Sequence, residues 1–203
     1  MTSNKALKAA LIVVDLQEDF CPPNGSLAVT DGRSIAPVIN DLLKLPWALR
    51  VATKDMHPED HISFASNHPP PNNKPFDALI PELDVNQLDE IVEKGQDKRV
   101  EMYSAFCTPF LNPKIVETGL ANTLRDKGIT HVFCVGLAAD YCVKATAIDA
   151  AKEGFETFVI REGTKGVEQG DEADKKLAQE LKEHNVKVVG VDSPEVAKVR
   201  DLR

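Results

Sequence analysis

Cys142 follows an apolar run, Thr130 to Val135, and the small residues Gly136, Ala138 and Ala139. It opens the alanine-rich stretch Cys142-Val143-Lys144-Ala145-Thr146-Ala147. This order reads as a strand, a tight turn and a helix that starts with a thiol. A thiol in that place faces backbone N–H groups without intrahelical partners and the positive end of the helix dipole. Both favour the thiolate, so the expected pKa lies below the ordinary free value of about 8.5. The same N–H groups can receive the oxyanion formed when sulfur attacks a carbonyl. A buried structural cysteine at a strand–helix junction gives the same local pattern.

Two further residues suit chemistry at the same place. Ala9-Ala10-Leu11-Ile12-Val13-Val14-Asp15 is a continuous apolar run ending in a carboxylate, the mark of a strand buried on both faces of a parallel sheet. Asp89-Glu90-Ile91-Val92-Glu93-Lys94-Gly95 is a shorter strand candidate that ends in a lysine before a glycine. Ligands of open α/β sheets bind outside the carboxyl ends of the strands. Asp15, Lys94 and Cys142 all fall at that edge, so one site can hold a base, a cation and a nucleophile.

The elements that must position them alternate. The spacing predicts strands over Ala9–Asp15, Leu49–Lys54, Ile91–Lys94, Thr130–Val135, Glu156–Ile160 and Val186–Val191. Helices are predicted over Ser34–Leu45, Glu117–Lys127, Cys142–Lys152 and Ala173–Glu183, with Pro37 in a first turn and Gly128 and Gly154 as stops. This alternation gives an α/β fold, a single-domain three-layer α/β/α sandwich over residues 1–203 with a six-stranded, mainly parallel sheet. Pro58 to Pro81 is the one long irregular stretch, and the charged tail after Pro194 is expected to fray.

The ordered set of segments resembles the isochorismatase-like cysteine hydrolase superfamily and, within it, the nicotinamidases of fungi. The segments are Asp15-Leu16-Gln17-Glu18-Asp19-Phe20 with Gly25-Ser26-Leu27, Thr53-Lys54-Asp55-Met56-His57-Pro58, Lys94-Gly95, Tyr103-Ser104-Ala105-Phe106, and Gly136 to Ala147. The resemblance implies an Asp15–Lys94–Cys142 triad, with Gln17, Phe20, Tyr103 and Ala138 at the substrate. It also implies an oxyanion hole from the backbone N–H groups of Ala138 and Cys142, and a cis Leu137–Ala138 bond. Asp55 and His57 match an Asp-x-His pair that holds a divalent metal in nicotinamidases.

The likeness breaks at the metal. Nicotinamidases place a second histidine in a Trp-Pro-x-His-Cys segment, and this chain has none; about two dozen family residues are absent, where long loops are usually functional. Two ligands hold a metal weakly, since catalytic zinc keeps three protein ligands and an open position. His61 and His68 are the nearby substitutes. His61 stands at a helical ligand spacing from His57, which Pro58 opposes. The expectation is therefore an incomplete site at Asp55 and His57, with zinc at most weakly bound and no cofactor required.

That expectation decides between two reactions. Amide hydrolysis of nicotinamide through a Cys142 thioester needs the pyridine anchor, and a lost positioning contact costs on the order of a hundredfold in rate. Isochorismate cleavage to pyruvate and 2,3-dihydroxy-2,3-dihydrobenzoate needs protonation of an enol ether and no metal. The sequence reading therefore favours an isochorismatase-type hydrolase acting on a salicylate precursor, with nicotinamidase as the alternative. An inactive scaffold relative, or a splice or gene-model origin of the short loop, are further alternatives.

Composition narrows the partners. The 203 residues carry a formal net charge of −8, without a basic face, which argues against nucleic acid. The longest apolar run is too short to span a bilayer. The first strand begins so early that a secretory signal would consume it, so a cytoplasmic protein is expected, and any appearance outside cells would be non-classical. Cys21, Cys107, Cys134 and Cys142 lack metal-type spacing and are expected as free thiols, with Cys134 in the core. The partner is a small-molecule substrate, and the resemblance allows homo-oligomers.

Overall fold

In β1 (Ala9–Val14) all six apolar residues are buried, because neighbouring strands and helices on both faces exclude water from each side chain. Its alternate residues divide the core. Ala9, Leu11 and Val13 join one apolar cluster, and Ala10, Ile12 and Val14 the other. The computed structural model describes residues 6–58, 61, 78–110 and 116–202.

The other strands are β2 (Leu49–Asp55), β3 (Glu90–Lys94), β4 (His131–Leu137), β5 (Glu156–Lys165) and β6 (Val186–Val189). They form one six-stranded sheet in the order β3-β2-β1-β4-β5-β6. Every pairing is parallel, so the expected "mainly parallel" sheet is wholly so. The helices are α1 (Ala36–Leu43), α2 (Leu120–Asp126), α3 (Lys144–Lys152), α4 (Asp171–Glu183) and α5 (Pro194–Arg200). Helices α1 and α5 cover one face through Ile39, Leu42, Leu43, Val196 and Val199. Helices α2, α3 and α4 cover the other through Leu120, Leu124, Ala147, Ala150 and Leu181.

The tail after Pro194 does not fray. Ser193 caps α5 by accepting from Val196 N, Pro194 occupies its first turn, and Val196 and Val199 are fully buried. The charged residues that suggested fraying line the outer face of an amphipathic turn.

The chain departs from β1 toward β2 and β3 on one side, and later from β4 toward β5 and β6 on the other. Between β1 and β4 the winding reverses, which opens a crevice at the carboxyl ends of these two strands. Their approach there is close. A Cβ on Gly136 would lie 2.0 Å from Val14 O, and Gly136 has φ +114°, so both contact and backbone require glycine.

Candidate active site

The ends of β1, β2, β3 and β4 bring the candidate groups together. Asp15 follows β1 directly, with a left-handed φ of 45° that turns its carboxylate back over the sheet edge. Thr53 in β2 fastens it: Thr53 Oγ1 donates to Asp15 Oδ1 at 2.6 Å and accepts from Asp15 N at 3.1 Å. Lys94 closes β3 and is among the largest fully buried side chains of the described residues. Its ammonium lies 2.9 Å from Asp15 Oδ2 and 2.9 Å from Asp55 Oδ1, and donates to Met102 O at 2.8 Å. Cys142 Sγ stands 3.8 Å from the same nitrogen. Asp15, Lys94 and Cys142, distant in sequence, therefore meet.

Cys142 sits in a single π-helical turn, Ala139–Val143, which leads into α3. The Leu137–Ala138 bond before it is cis, as the resemblance implied. Ala138 O accepts from Tyr141 N and Val143 N, which ties the turn down. The thiol differs from the sequence expectation: its pKa is pushed up, not down. Burial is the largest cause, the Asp15 carboxylate adds to it, and the Lys94 ammonium opposes it. Desolvation of a thiolate in a nearly closed pocket outweighs the helix end. Lys94 is held firmly protonated, since Asp15, Cys142 and Asp55 together outweigh its burial.

The remaining expected residues divide. Gln17 is buried, and its amide clamps the backbone of Asp55, accepting from Asp55 N at 2.6 Å and donating to Asp55 O at 3.2 Å. Phe20 is partly buried and packs against the core cluster. Tyr103 is half-exposed, with its ring 6.0 Å from that of Tyr141. Ala138 lies at the start of the π turn. His68 lies outside the described residues.

Asp55 and His57 were expected to hold a metal only weakly. Two donors on one zinc, with bonds of about 2.1 Å at a tetrahedral angle, stand about 3.4 Å apart. Asp55 Oδ2 and His57 Nε2 are 3.5 Å apart, and Glu101 Oε2 is 3.4 Å from the same nitrogen. These separations are long for a hydrogen bond and suit donors that share an ion. Gly95, with φ +76°, keeps the space clear, because a Cβ there would come within 2.5 Å of His57 Cε1 and Nδ1. Ligand atoms of His57, His61 and Glu101 all lie within 4.8 Å of one another. The His61 ring lies stacked on that of His57, 3.7 Å away, so the donors whose separations fit a divalent metal are Asp55, His57 and Glu101.

Sequence reasoning missed Glu101. It stands in the run Val100 to Tyr103, which the fold lays along the site: Val100 O meets His61, Glu101 meets His57, and Met102 O meets Lys94. Its signal was weak, one carboxylate among 32 acidic residues, two positions before the quoted Tyr103.

Comparison with known proteins decides the family. Residues 9–193 match the isochorismatase domain. The chain belongs to the isochorismatase domain family. It is 37% identical to the nicotinamidase of Acinetobacter baylyi, over 81% of this chain and 84% of that protein. It is 31% identical to the nicotinamidase of Schizosaccharomyces pombe, over 95% of this chain and 98% of that enzyme. The second alignment runs over 225 positions, more than the 203 residues here, so that enzyme carries residues with no counterpart in this isochorismatase-family chain. Among solved structures, PnC1 from L. infantum in complex with nicotinate superposes with a TM-score of 0.80 and 34% identity, covering 90% of this chain and 92% of that one. Pyrazinamidase of Pyrococcus horikoshii in complex with zinc gives 0.72 and 35%, covering 90% and 99%.

These relatives overturn the sequence preference for isochorismate cleavage. That preference rested on the lost loop histidine. The physical reason it fails is that the fold keeps Asp55 beside His57 and returns Glu101 to it, so carboxylate and imidazole donors stand together near the expected pyridine anchor without the loop. The chain is a hydrolase of the isochorismatase-like type. Among the described residues, no helix is long and apolar enough to cross a membrane.

Proposed function

We propose that this protein hydrolyses the carboxamide of nicotinamide, or a close pyridine or pyrazine carboxamide, to the acid and ammonia. The observation that carries the reading is the meeting of Lys94 Nζ with Asp15 Oδ2 at 2.9 Å and Cys142 Sγ at 3.8 Å, beside the donors Asp55, His57 and Glu101. The naming of its relatives as nicotinamidases supports the substrate class.

At rest Cys142 is a thiol, because burial and the Asp15 carboxylate hold its proton on sulfur. As sulfur bonds to the amide carbon, its proton passes to Asp15, and the carbonyl oxygen becomes an oxyanion facing the backbone N–H groups of Ala138 and Cys142. The C–N bond then breaks, Asp15 gives its proton to the leaving nitrogen, and ammonia departs from a thioester. Water attacks the thioester, Asp15 takes its proton, the C–S bond breaks, and that proton returns to sulfur. Lys94 stays protonated throughout and keeps Asp15 oriented toward the thiol. Phe20 and Tyr103 give the aromatic ring its walls. A divalent metal at Asp55 and His57 supplies a Lewis-acid anchor for the ring nitrogen when bound.

Four free cysteines suit a reducing compartment, and we place the enzyme in the cytoplasm. The test is ammonia release from nicotinamide by the purified chain, with and without added zinc. Turnover is expected, with an acyl adduct on Cys142 seen by mass on rapid quenching, and Cys142→Ala is expected to abolish both. A folded chain that releases no ammonia under either condition overturns the reading.

A further inference from the structure

The carboxyl end of β5 folds over the turn that carries Cys142. Cys134 pairs with Val159 and Gly136 with Thr164, so two steps along β4 are matched by five along β5, and the extra residues bulge out. Beyond the bulge, Thr164 and Lys165 run beside Gly136 and Leu137, which lead into the π turn Ala139–Val143. Asp140 ties down the segment that follows. Val167 N donates to Asp140 Oδ1 and Glu168 N to Asp140 Oδ2, each at 2.9 Å. One carboxylate thus receives two backbone donors in a charge-assisted pair. Gln169 extends the connection. Its Nε2 donates to Gly166 O at 3.1 Å and to Thr30 O at 2.9 Å, in the loop where Val29 N donates to Phe20 O at 3.0 Å.

An aspartate in the first turn of a helix ordinarily bends onto N–H groups two or three residues ahead. From Asp140 those groups belong to Cys142 and Val143. Val143 N already donates to Ala138 O, so the group such a bend would take is the Cys142 N–H. Among the described residues the Asp140 carboxylate makes no hydrogen bond to its own turn, because both oxygens accept from Val167 and Glu168.

We propose that Asp140 is a positioning residue of this site. Held by the backbone of Val167 and Glu168, its carboxylate fixes the π turn and stays off the Cys142 N–H, which is left to receive the oxygen of the substrate carbonyl. This role rests on the amide-hydrolase reading, whereas the clamp itself can be read without any substrate.

The first measurement is amide hydrogen exchange on the purified full chain, which needs no variant to fold. Val167 is 59% exposed, yet the N–H groups of Val167 and Glu168 are expected to exchange at least about a hundredfold more slowly than in an unstructured peptide. The second is steady-state ammonia release by Asp140→Asn. That variant keeps the shape, but its amide offers one acceptor oxygen and turns an NH2 group toward the other backbone donor. Its kcat is expected to fall about ten- to a hundredfold, short of the full loss of an oxyanion donor, with KM and the affinity for the acid product nearly unchanged. A merely structural role would weaken product binding along with kcat. Fast exchange of both amides in the wild-type protein, an Asp140→Asn protein of full kcat, or a loss shared equally by kcat and product affinity overturns the proposal. A wild-type chain with slow amides and no ammonia release keeps the clamp and refutes the amide-hydrolase reading, so the two failures are separate results.

Discussion

Lys94 Nζ and Asp15 Oδ2 lie 2.9 Å apart with neither side chain exposed to solvent, which makes this pair the electrostatic centre of the site. The lysine also faces the carboxylate oxygen Asp55 Oδ1 and donates to the carbonyl Met102 O, so two carboxylates and one carbonyl surround its charge. Removing one partner of a buried pair leaves the other charge uncompensated. Lys94→Met is therefore expected to lower the stability of the fold by about 3–5 kcal/mol and to abolish turnover. Urea unfolding at neutral pH measures the first and ammonia release the second; a variant of wild-type stability would show that the pair carries no such weight.

Thr53 is fully buried and holds Asp15 at two points, since its hydroxyl both donates to the carboxylate and accepts from the Asp15 backbone. Thr53→Val keeps the shape and leaves a buried carboxylate oxygen without its donor, at a cost of about 1–3 kcal/mol. A positioning role lowers kcat and leaves KM nearly unchanged. A fall confined to KM, or stability loss with full kcat, would contradict it.

Gly95→Ala tests the clearance beside His57. A left-handed alanine costs about 1–2 kcal/mol, and its Cβ would meet the imidazole at 2.5 Å. The variant is expected to melt at a lower temperature and to lose turnover more than Gly119→Ala. Gly119 has a similar φ, but its Cβ would meet nothing within 4 Å. Equal activity losses in the two variants would mean that backbone strain alone is at work.

Alkaline stability follows from the buried thiols. Burial pushes Cys21 up to about 11 and Cys134 up to about 12, and raises Cys142 as well. Each raised thiol keeps its proton in the folded chain while the unfolded chain loses it above about pH 8.5. Its stabilising contribution is complete below that pH and declines as pH rises toward the folded value. The slope is up to about 1.4 kcal/mol per pH unit for each thiol. Unfolding free energy measured from pH 7.5 to 10.5 is expected to fall, with a shallower slope in Cys134→Ala. An identical slope in that variant would remove Cys134 from the account.

Much of the frame can be read directly from the chain. The apolar run of β1 records burial on both faces, and Asp15, Lys94 and Cys142 fall where strand periodicity ends, so sequence determined their shared edge. Tail residues 194–200 misled because charge on the outer face of a short helix looks like a solvated tail until Val196 and Val199 are seen to be buried. The proton state of Cys142 was also beyond local reading. A helix end acts within one turn and is legible, whereas the desolvation that outweighs it comes from residues on other strands.

The cluster of donor atoms around His57 marks the same division most sharply. Sequence alone determined the fold, the shared strand edge of Asp15, Lys94 and Cys142, and the absence of the loop histidine, because each is a matter of residue type, period and order. Which donor atoms stand beside His57 without that loop was decided only by tertiary structure. The parallel register of β2 and β3, which sets Asp55 opposite Lys94, and the return of Val100–Tyr103 across the crevice bring Glu101 to His57. Donor separations of a few ångströms between distant segments are a product of packing, and no local pattern in the chain encodes them.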